Sequence, residues 1–522
     1  MVDRKGLLRA AEGMADFLKE RGSVLIVGHI DSDGITSACV ASTALERQGV
    51  DHEVRFVKKL DPPQVEMVNR AEHDAVWLVD LGSGAFPSLT HPGVCISDHH
   101  VPDRRKGQNT LDSFVDLHVN PHFFGMDGST EISGAGTTYC VARAMDPSNR
   151  DLSHLALVGA VGDFQEDAQC RLVGFNREIL EDAREEGLVE CREDLRIYGK
   201  ESRPLSRLLM YSNDPYLPGI TNCHPRQIDR FFFEIGVPPR TYLDRDGKVD
   251  TTMKVQDWVD DKEVERDTRA RYWYELDEGE RQAVILALRE RLGGKKGADR
   301  LVGEIYHLTQ EEQGSAFHDA KEFATVLNSC GRYERAELGM RACWPDEEGI
   351  RRQAISLLSN HRNNIRDALS RIVFPWEYGE EGQIVIDHNG YLWHFNAGPS
   401  IRDTVIGIVA GMVLSSRAGT RSDPGELADF RERLPERAIP VVAFADSEGE
   451  NGEELLKVSA RGTRELVSRG LDLSSAIKLA SERVGGVGGG HNIAAGATID
   501  KGKEEEFLRE MTQIIQDQLG LS

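Results

Sequence analysis

Short apolar, β-branched runs alternate with amphipathic stretches through the first third of the chain. Runs typical of strands occupy 23–30 (SVLIVGHI), 75–82 (AVWLVDLG), 93–100 (GVCISDHH) and 114–120 (FVDLHVN). Stretches typical of helices occupy 35–48 and 134–146. Strands that alternate with helices form parallel sheets covered on both faces. We therefore predict an α/β fold, in which ligands bind beyond the carboxyl ends of the strands.

The pattern changes after residue 190, where the chain becomes charge-rich and mainly helical. The segment 275–292 (ELDEGERQAVILALRERL) has an apolar stripe that suits a packed helix, whereas 203–219 contains Pro and Gly and predicts a linker or loop. From about residue 383 the β/α alternation returns. We predict three domains, as the length of 522 residues also suggests: a parallel-sheet domain (1–190), a mainly helical inserted domain (191–380) and a smaller C-terminal α/β domain (381–522).

Composition narrows the class of protein. Hydrophobic residues make up 39% of the chain and charged residues 29%, which is typical of a globular protein. Apolar runs of 18 residues are absent from the sequence, so we predict no membrane span. The eight cysteines form no CxxC pair, and we expect reduced thiols in a cytoplasmic protein rather than a zinc site built from cysteine.

The net charge bears on the choice of partner. It is −24, from 63 basic and 87 acidic residues, which argues against a surface that coats polyanions in general. A nuclease is not excluded, because a local basic groove and bound divalent cations can hold phosphates on an acidic protein.

Acidic and histidine residues recur where four predicted elements end. They lie in GHIDSDG, LVDLG, ISDHH and ALVGAVGDF, and they are His29, Asp31, Asp33, Asp80, Asp98, His99, His100 and Asp163. Each motif alone has an ordinary explanation, namely a turn, a helix cap or a solvated surface. Together they predict one cleft whose carboxylates would repel each other unless cations neutralise them. Carboxylates and imidazoles suit Mn²⁺, and less selectively Mg²⁺ or Zn²⁺; two such ions can activate water for attack on phosphorus.

The segments HIDSDG, VDLG, SDHH and GAVGDF resemble the four consecutive motifs of the DHH phosphoesterase family, and SGAGTT (133–138) resembles the helix start after its third motif. The resemblance implies two Mn²⁺ ions, with Mg²⁺ as the alternative. One ion would bind His29 and Asp31, the other would bind Asp33, His99 and Asp163, and Asp80 would bridge them. His100 would contact the scissile phosphate or assist the leaving group, and Asp98 would orient the histidine pair. The catalytic residues implied are thus His100, Asp98 and Asp80.

Glycines recur near the C-terminus, in GGVGGGHNIAAGATI (485–499). A glycine-rich loop lets backbone N–H groups surround a phosphate, although such a loop alone is more often a flexible turn. With the preceding SARGT (459–463), the segment resembles the DHH-associated C-terminal domain. The resemblance implies that substrate is gripped by Arg461, Gly488, Gly489, Gly490 and His491.

The middle of the chain carries a less specific resemblance. The segment SAFHDAKEFATVLNSCGRYERAELGM (315–340) predicts a helix ending near Gly331. Together with DPYLPGIT (214–221) and the HxDxD spacing of the first motif, it resembles archaeal RecJ-like proteins. This implies that Asn328 and Arg332 face a nucleic-acid channel, whereas on the residues alone a solvated helix face is the simpler explanation for Arg332.

Three functions remain open from the sequence. The first is an exonuclease acting on single-stranded DNA or RNA, for which about 200 residues between the outer domains could form a channel. The second is a phosphodiesterase for oligonucleotides or cyclic dinucleotides. The third is a replication scaffold that binds the GINS complex and has little activity. Because the acidic positions remain, we expect an active enzyme that could also bind GINS.

Overall fold

The computed structural model describes residues 2–103, 117–212, 215, 217, 219–221, 223, 225–243, 249–254, 268–293, 298–345, 348–373, 387–415, 439–449 and 452–520. The chain divides into two compact units, Met1–Leu358 and Ser359–Ser522. The first unit thus contains the predicted parallel-sheet domain and most of the predicted middle domain. The domain boundaries at 190/191 and 380/381 remain predictions.

A five-stranded parallel sheet forms the centre of the first unit. Its strands lie in the order β2–β1–β3–β4–β5, and they are β1 (Ser23–His29), β2 (Asp51–Val57), β3 (Ala75–Val79), β4 (Val94–Ser97) and β5 (His118–Val119). The chain leaves β1 toward one edge of the sheet and returns to the other side of β1 with β3. This order places a topological switch point between β1 and β3, where ligands bind in open α/β sheets.

Helices cover both faces of this sheet. The helices of this part of the chain are α1 (Arg4–Lys19), α2 (Ser32–Arg47), α3 (Pro62–Asn69), α4 (Gly134–Met145), α5 (Ser153–Gly162) and α6 (Phe175–Glu185). Alternate residues of β1 belong to different cores: Val24 and Ile26 pack in the core with α1, α2 and α4, while Leu25 and Val27 pack with Val68 of α3. Burial on both faces explains the continuous apolar runs of the strands. The predicted α/β fold is confirmed.

In its described residues, the remainder of the first unit is helical with two small antiparallel sheets. Its helices are α7 (Leu205–Met210), α8 (Pro225–Glu234), α9 (Glu278–Leu292), α10 (Ala320–Arg332), α11 (Ala336–Ala342) and the first part of α12 (Glu348–Val373). The sheets pair β6 (Val189–Leu195) with β10 (Val302–Leu308), and β7 (Arg240–Leu243) with β8 (Val249–Lys254) and β9 (Thr268–Ala270). The predicted helical insert is confirmed; the strands were not predicted, and the expected loop at 203–219 contains α7.

The second unit contains a six-stranded sheet in the order β11–β12–β13–β14–β16–β15. Its strands are β11 (Asp387–His388), β12 (Trp393–Asn396), β13 (Val441–Glu448), β14 (Glu454–Arg461), β15 (Val487–Gly490) and β16 (Ala494–Asp500). Its helices after α12 are α13 (Ile406–Ser415), α14 (Arg464–Ser468), α15 (Leu473–Arg483) and α16 (Glu504–Leu519). The predicted C-terminal α/β domain is confirmed as a fold class. Within the described ranges of both units, every helix is too short or too polar to cross a bilayer.

Candidate metal centre

The turn from β1 into α2 carries the first three candidate ligands. His29 is the last residue of β1, and Asp31 caps α2 by accepting a hydrogen bond at 3.0 Å from the backbone N–H of Gly34. Asp33 follows in the first turn of the helix. A Cβ at position 34 would overlap the carbonyl of His29, so this tight turn requires glycine. The turn therefore gathers the three side chains at the carboxyl end of β1.

Asp33 is a buried carboxylate held by the start of a second helix. Its oxygens accept hydrogen bonds from the backbone N–H groups of Gly134 (2.7 Å) and Ala135 (2.9 Å) in the first turn of α4. A helix N-terminus favours negative charge. Even so, burial and the neighbouring carboxylates, led by Asp80, raise the pKa of Asp33 well above its usual value. Such a carboxylate is stabilised in its charged form by a bound cation.

Asp80 lies between the two halves of the centre. It follows β3 with a φ of +59°, a left-handed conformation that Asp adopts more readily than most residues, and it is 1% exposed. Its Oδ2 lies 3.5 Å from Nδ1 of His29, and its Oδ1 lies 3.2 Å from Nε2 of His99. Asp80 is thus in reach of ligands from both predicted metal sites.

The adjacent histidines after β4 are oriented by different partners. The Nδ1 of His99 donates to the carbonyl of Gly128 (2.6 Å), which leaves Nε2 facing the carboxylates. The Nδ1 of His100 lies 2.8 Å from Oδ1 of Asp98, a carboxylate that also accepts from both histidine backbone N–H groups. The expectation that Asp98 orients the histidine pair therefore needs a correction: it contacts the ring of His100, whereas the carbonyl of Gly128 orients the ring of His99.

Asp163 ends α5 and is positioned by a residue that the sequence reasoning missed. Gln165 is fully buried, and its Nε2 donates to the carbonyl of Gly128 (2.7 Å) and to Oδ2 of Asp163 (3.1 Å). Its Oε1 in turn accepts from Asn176 (2.8 Å). Gln165 therefore links Asp163 to the carbonyl that orients His99. Its place two residues after Asp163 in GAVGDFQ carries no signal that distinguishes it from an ordinary polar residue.

The ligand atoms form overlapping groups within 4.8 Å of one another. They are His29, Asp31 and Asp80; Asp33, His99 and Asp163; and Asp80, His99 and His100. The first two groups match the two sites that the family resemblance implied, with Asp80 beside both. The assignment of individual ligands to individual ions remains a proposal.

The electrostatics of the centre fit bound divalent cations. Oδ1 of Asp80 is buried and forms no well-aligned hydrogen bond, and Nδ1 of His29 lies 2.9 Å from Oδ2 of Asp31 and 3.5 Å from Oδ2 of Asp80. Burial and the Asp80 carboxylate raise the pKa of Asp163 to about 6, despite an opposing effect of His99. Burial opposes protonation of His99, but the carboxylates led by Asp80 raise its pKa well above the usual value. A set of carboxylate oxygens and imidazole nitrogens without sulfur suits Mn²⁺ or Mg²⁺, so the residues fit the ions that the family implies.

Helix α10 packs directly against the β1–α2 turn. Oδ1 of Asn328 accepts a hydrogen bond at 2.9 Å from the backbone N–H of Ser32, and a Cβ at Gly331 would overlap the carbonyl of Ile30. Arg332 is half-buried, and burial lowers its pKa while the nearby Asp31 carboxylate raises it. The structure thus gives Asn328 a role in holding the metal-binding turn that the sequence did not predict.

The predicted substrate-binding residues of the second unit meet at one end of its sheet. Arg461 ends β14 and pairs with Ala494, while His491 and Ala494 close the turn between β15 and β16. Contrary to the expected glycine-rich loop, the three glycines 488–490 lie in strand β15. They pair antiparallel with β16, and position 488 needs glycine because a Cβ there would overlap Ser481 and Ile477 of α15, while Gly489 is open.

A separate cluster in the first unit has side chains of the types that bind metals, but the ammonium group of a lysine already lies beside them. It joins Glu201, His307 and His318. Nζ of the buried Lys200 lies 3.3 Å from Nε2 of His307 and 3.7 Å from Asp194. We interpret this cluster as a buried ion-pair network.

Three family models match separate parts of the chain. The N-terminal domain of the DHH family matches residues 23–160, the DHH-CID domain matches 197–253, and the DHHA1 domain matches 406–517. The parallel sheet, the four motifs and these matches show that the chain contains a DHH N-terminal domain, a DHH-CID domain and a DHHA1 domain. Its fold is RecJ-like.

One relative and several solved structures are similar to nearly the whole chain. An uncharacterized protein of Methanocaldococcus jannaschii is 26% identical over 98% of this chain and 99% of its own length. An exonuclease RecJ bound to manganese aligns with a TM-score of 0.52 at 16% identity, covering 99% of this chain and 95% of RecJ. Cdc45 from Entamoeba histolytica aligns with a TM-score of 0.59 at 10% identity, covering 98% and 99%.

A further RecJ structure is longer than this chain. RecJ from Thermus thermophilus in complex with Mn²⁺ aligns with a TM-score of 0.52 at 16% identity over 98% of this chain, which spans 55% of the length of that RecJ. At these identities the likeness shows the fold.

Proposed function

We propose that the protein is a metal-dependent exonuclease that hydrolyses phosphodiester bonds of single-stranded DNA or RNA. The observation that carries the proposal is the convergence of six ligand-type side chains from four separate motifs at one edge of the parallel sheet. These are His29, Asp31, Asp33, Asp80, His99 and Asp163. The RecJ structures with this fold, bound to manganese, support Mn²⁺ as the ion, with Mg²⁺ as the alternative.

Bound divalent ions would supply an activated water and would neutralise charge on the phosphate during attack. The chain's own contribution is to hold the ligands rigidly. Asp33 is fixed by two backbone N–H groups, and His99 by the carbonyl of Gly128. Asp80 lies between the two groups and is proposed to bridge the ions. Residues held this firmly need little reorganisation during the reaction.

His100 is proposed to contact the scissile phosphate and to donate a proton to the leaving oxygen. Its side chain is 56% exposed, unlike that of His99. Partial burial of the ring opposes protonation. The hydrogen bond with Asp98, together with the charges of Asp98 and Asp80, outweighs that effect and raises the pKa of His100 to about 9. A protonated imidazole at neutral pH can stabilise negative charge and act as a general acid. Asp98, fully buried, keeps that ring in place.

We propose that Arg461, the glycines at 488–490 and His491 bind the substrate. Arg461 is the last residue of β14 and pairs with Ala494 beside the turn of the β15–β16 hairpin. Strand β15 is an edge strand of the sheet. An edge strand presents backbone N–H groups, and glycine lets a phosphate approach them. Arg332, next to Asp31, is proposed to contact the nucleic acid near the metal centre.

A second candidate is a replication scaffold, and the similarity to Cdc45 is the observation that favours it. In this proposal the middle domain would contact the GINS complex, and the metal centre would contribute little. The complete set of acidic residues in the centre favours the nuclease, because a scaffold has no need to keep mutually repelling buried carboxylates.

Digestion of labelled strands tests the proposal. With Mn²⁺, the wild-type chain should shorten end-labelled single strands progressively, leave duplexes intact, and release mononucleotides. Asp80→Asn should lower the rate at least about 100-fold, because it removes the carboxylate beside both groups of ligands. Asn suits the left-handed backbone at this position, so the fold should persist in circular dichroism.

The matched control is Asp151→Asn, which removes a surface carboxylate paired with Arg47 and should leave the rate unchanged. Cleavage limited to dinucleotides would instead assign a phosphodiesterase for small substrates. Absence of cleavage with any divalent metal, together with co-purification with GINS, would favour the scaffold.

A further inference from the structure

The turn that follows the ligand Asp163 holds an aromatic residue in a position that usually belongs to glycine. The backbone N–H of Gln165 donates to the carbonyl of Ala160, and that of Phe164 donates to the carbonyl of Val161. These two bonds define a Schellman motif that ends α5, with Phe164 in the left-handed position at a φ of +57°. A bulky residue is an outlier there, because its Cβ crowds the backbone.

The side chain of Phe164 offers no compensation through burial. It is 78% exposed, the most exposed of the large hydrophobic residues in the described parts of the chain. A glycine or asparagine would adopt the same turn with less strain and without an apolar ring in water. Strain that coincides with an exposed ring next to a catalytic site indicates a role in binding rather than in folding.

The backbone at Phe164 is fixed on both sides. The preceding residue, Asp163, has its carboxylate 3.7 Å from Nε2 of His99 inside the metal centre. The following residue, Gln165, is anchored by hydrogen bonds to Gly128 and Asn176. The rigid turn therefore sends Asp163 and Gln165 inward and leaves Phe164 on the solvent side, one residue from a proposed metal ligand.

We propose that Phe164 forms a stacking site for an unpaired nucleobase next to the phosphate held at the metal centre. This inference rests on the proposed nuclease function and adds to it a contact that selects unpaired strands. Bases of single strands stack on aromatic side chains irrespective of sequence, since every base has a π-face. A base in a duplex is stacked and paired with its own neighbours, so the same ring would disfavour duplex ends.

The test compares ends with and without a base. Single-stranded oligonucleotides are prepared with either a normal nucleotide or an abasic residue at the terminal position, and kcat/KM for its release is measured with Mn²⁺. The wild-type ratio of normal to abasic ends should be about tenfold, the usual effect of one stacking contact. Phe164→Ala should bring the ratio close to one, mainly through KM, and Phe164→Trp should restore it.

A second variant separates stacking from folding. Phe164→Gly relieves the left-handed strain, so its melting temperature should equal or exceed that of the wild-type chain while its ratio falls to that of Phe164→Ala. A wild-type ratio near one, or an unchanged ratio in Phe164→Ala, overturns the stacking site and leaves the nuclease proposal standing. A wild-type chain that releases neither kind of end overturns both.

Discussion

At the scale of single residues, the candidate metal centre contains buried carboxylates whose charge and hydrogen bonding the surrounding protein does not fully satisfy. Asp80 combines a left-handed backbone with a buried oxygen, Oδ1, that forms no well-aligned hydrogen bond. Both features are unfavourable in a protein that uses Asp80 only for packing. Both are explained if the carboxylate binds metal ions between His29 and His99.

A second residue-scale feature is a buried histidine that the metal centre does not use. Nδ2 of Asn120 donates to Oγ of Ser83 (2.8 Å), and Oγ of Ser83 lies 2.9 Å from Nε2 of His118. The Ser83 hydroxyl can therefore donate to His118 only while that ring is neutral. Burial lowers the pKa of His118 to about 4, against a small opposing effect of Asp98.

This arrangement predicts a loss of stability in acid. Because the pKa of His118 is lower in the folded chain than in the unfolded chain, the unfolded chain binds the proton first as the pH falls. The stabilisation is therefore complete above about pH 6.5 and is lost between about pH 6.5 and 4, by about 3 kcal/mol. The measurement is the free energy of unfolding in urea at pH 7.5, 6, 5 and 4 for the wild-type chain and for His118→Gln.

The wild-type advantage over His118→Gln should shrink steadily across that range, since glutamine does not titrate. Other acidic groups affect both proteins alike, so the difference isolates His118. A difference that stays constant from pH 7.5 to 4 would show that His118 is not held neutral by its surroundings.

At the scale of elements, the candidate metal centre requires the backbones of several helices to lie very close to its carboxylates, and glycines make this close approach possible. A Cβ at Gly134, in the first turn of α4, would overlap the carboxylate of Asp80, and a Cβ at Gly159 in α5 would overlap that of Asp33. The starts and ends of α2, α4 and α5 can therefore meet around the same carboxylates. Larger residues would separate the elements and displace the ligands.

Gly134→Ala tests this packing. The added methyl group should displace Asp80 and weaken Mn²⁺ affinity by about 10- to 100-fold, the usual effect of disturbing the support of a metal ligand. The measurement is Mn²⁺ affinity by isothermal titration calorimetry, with circular dichroism as the check on the fold. The matched control is Gly84→Ala in the loop after β3, where a Cβ meets nothing within 4 Å. Equal Mn²⁺ affinities for the two variants would refute the argument.

The sequence predicted the elements that a buried periodic pattern reveals. The strand at 23–30, the helix at 134–146 and the helix at 275–292 all correspond to observed elements. The edge strand β2 was missed because it is only partly buried and its sequence, DHEVRFV, is largely polar. The glycines at 488–490 predict a loop because glycine has no strand preference, whereas antiparallel pairing with β16 places them in β15, and Gly488 packs against α15.

The candidate site shows the same division between local and long-range information. Motif spacing predicted that the residues just after strands, such as Asp80 and His99, lie together. Spacing could not reveal Gln165, whose role depends on contacts with Gly128 and Asn176, or the contact of Asn328 with Ser32 across 296 residues. Such contacts depend on the tertiary fold, and a glutamine or asparagine alone carries no local signal for them.

At the scale of the whole molecule, the order of strands explains why the chemistry lies where it does. The switch point between β1 and β3 brings the ends of two strands together, and the later motifs add His99 and Asp163 at the same edge. The second unit carries the DHHA1 domain, with Arg461 and the β15–β16 hairpin at one end of its own sheet. We thus propose that the first unit carries the catalytic residues and that the second unit contributes residues that bind the substrate.

The most direct test of the account is the number of Mn²⁺ ions that the metal-free full chain binds, measured by isothermal titration calorimetry with electron paramagnetic resonance of the free ion. The wild-type chain should bind two ions, and Asp80→Asn should bind at most one, more weakly, whereas Asp151→Asn should match the wild-type chain. Binding of no Mn²⁺ by the wild-type chain, or of two ions with unchanged affinity by Asp80→Asn, would contradict the assignment of this cleft as a two-metal centre.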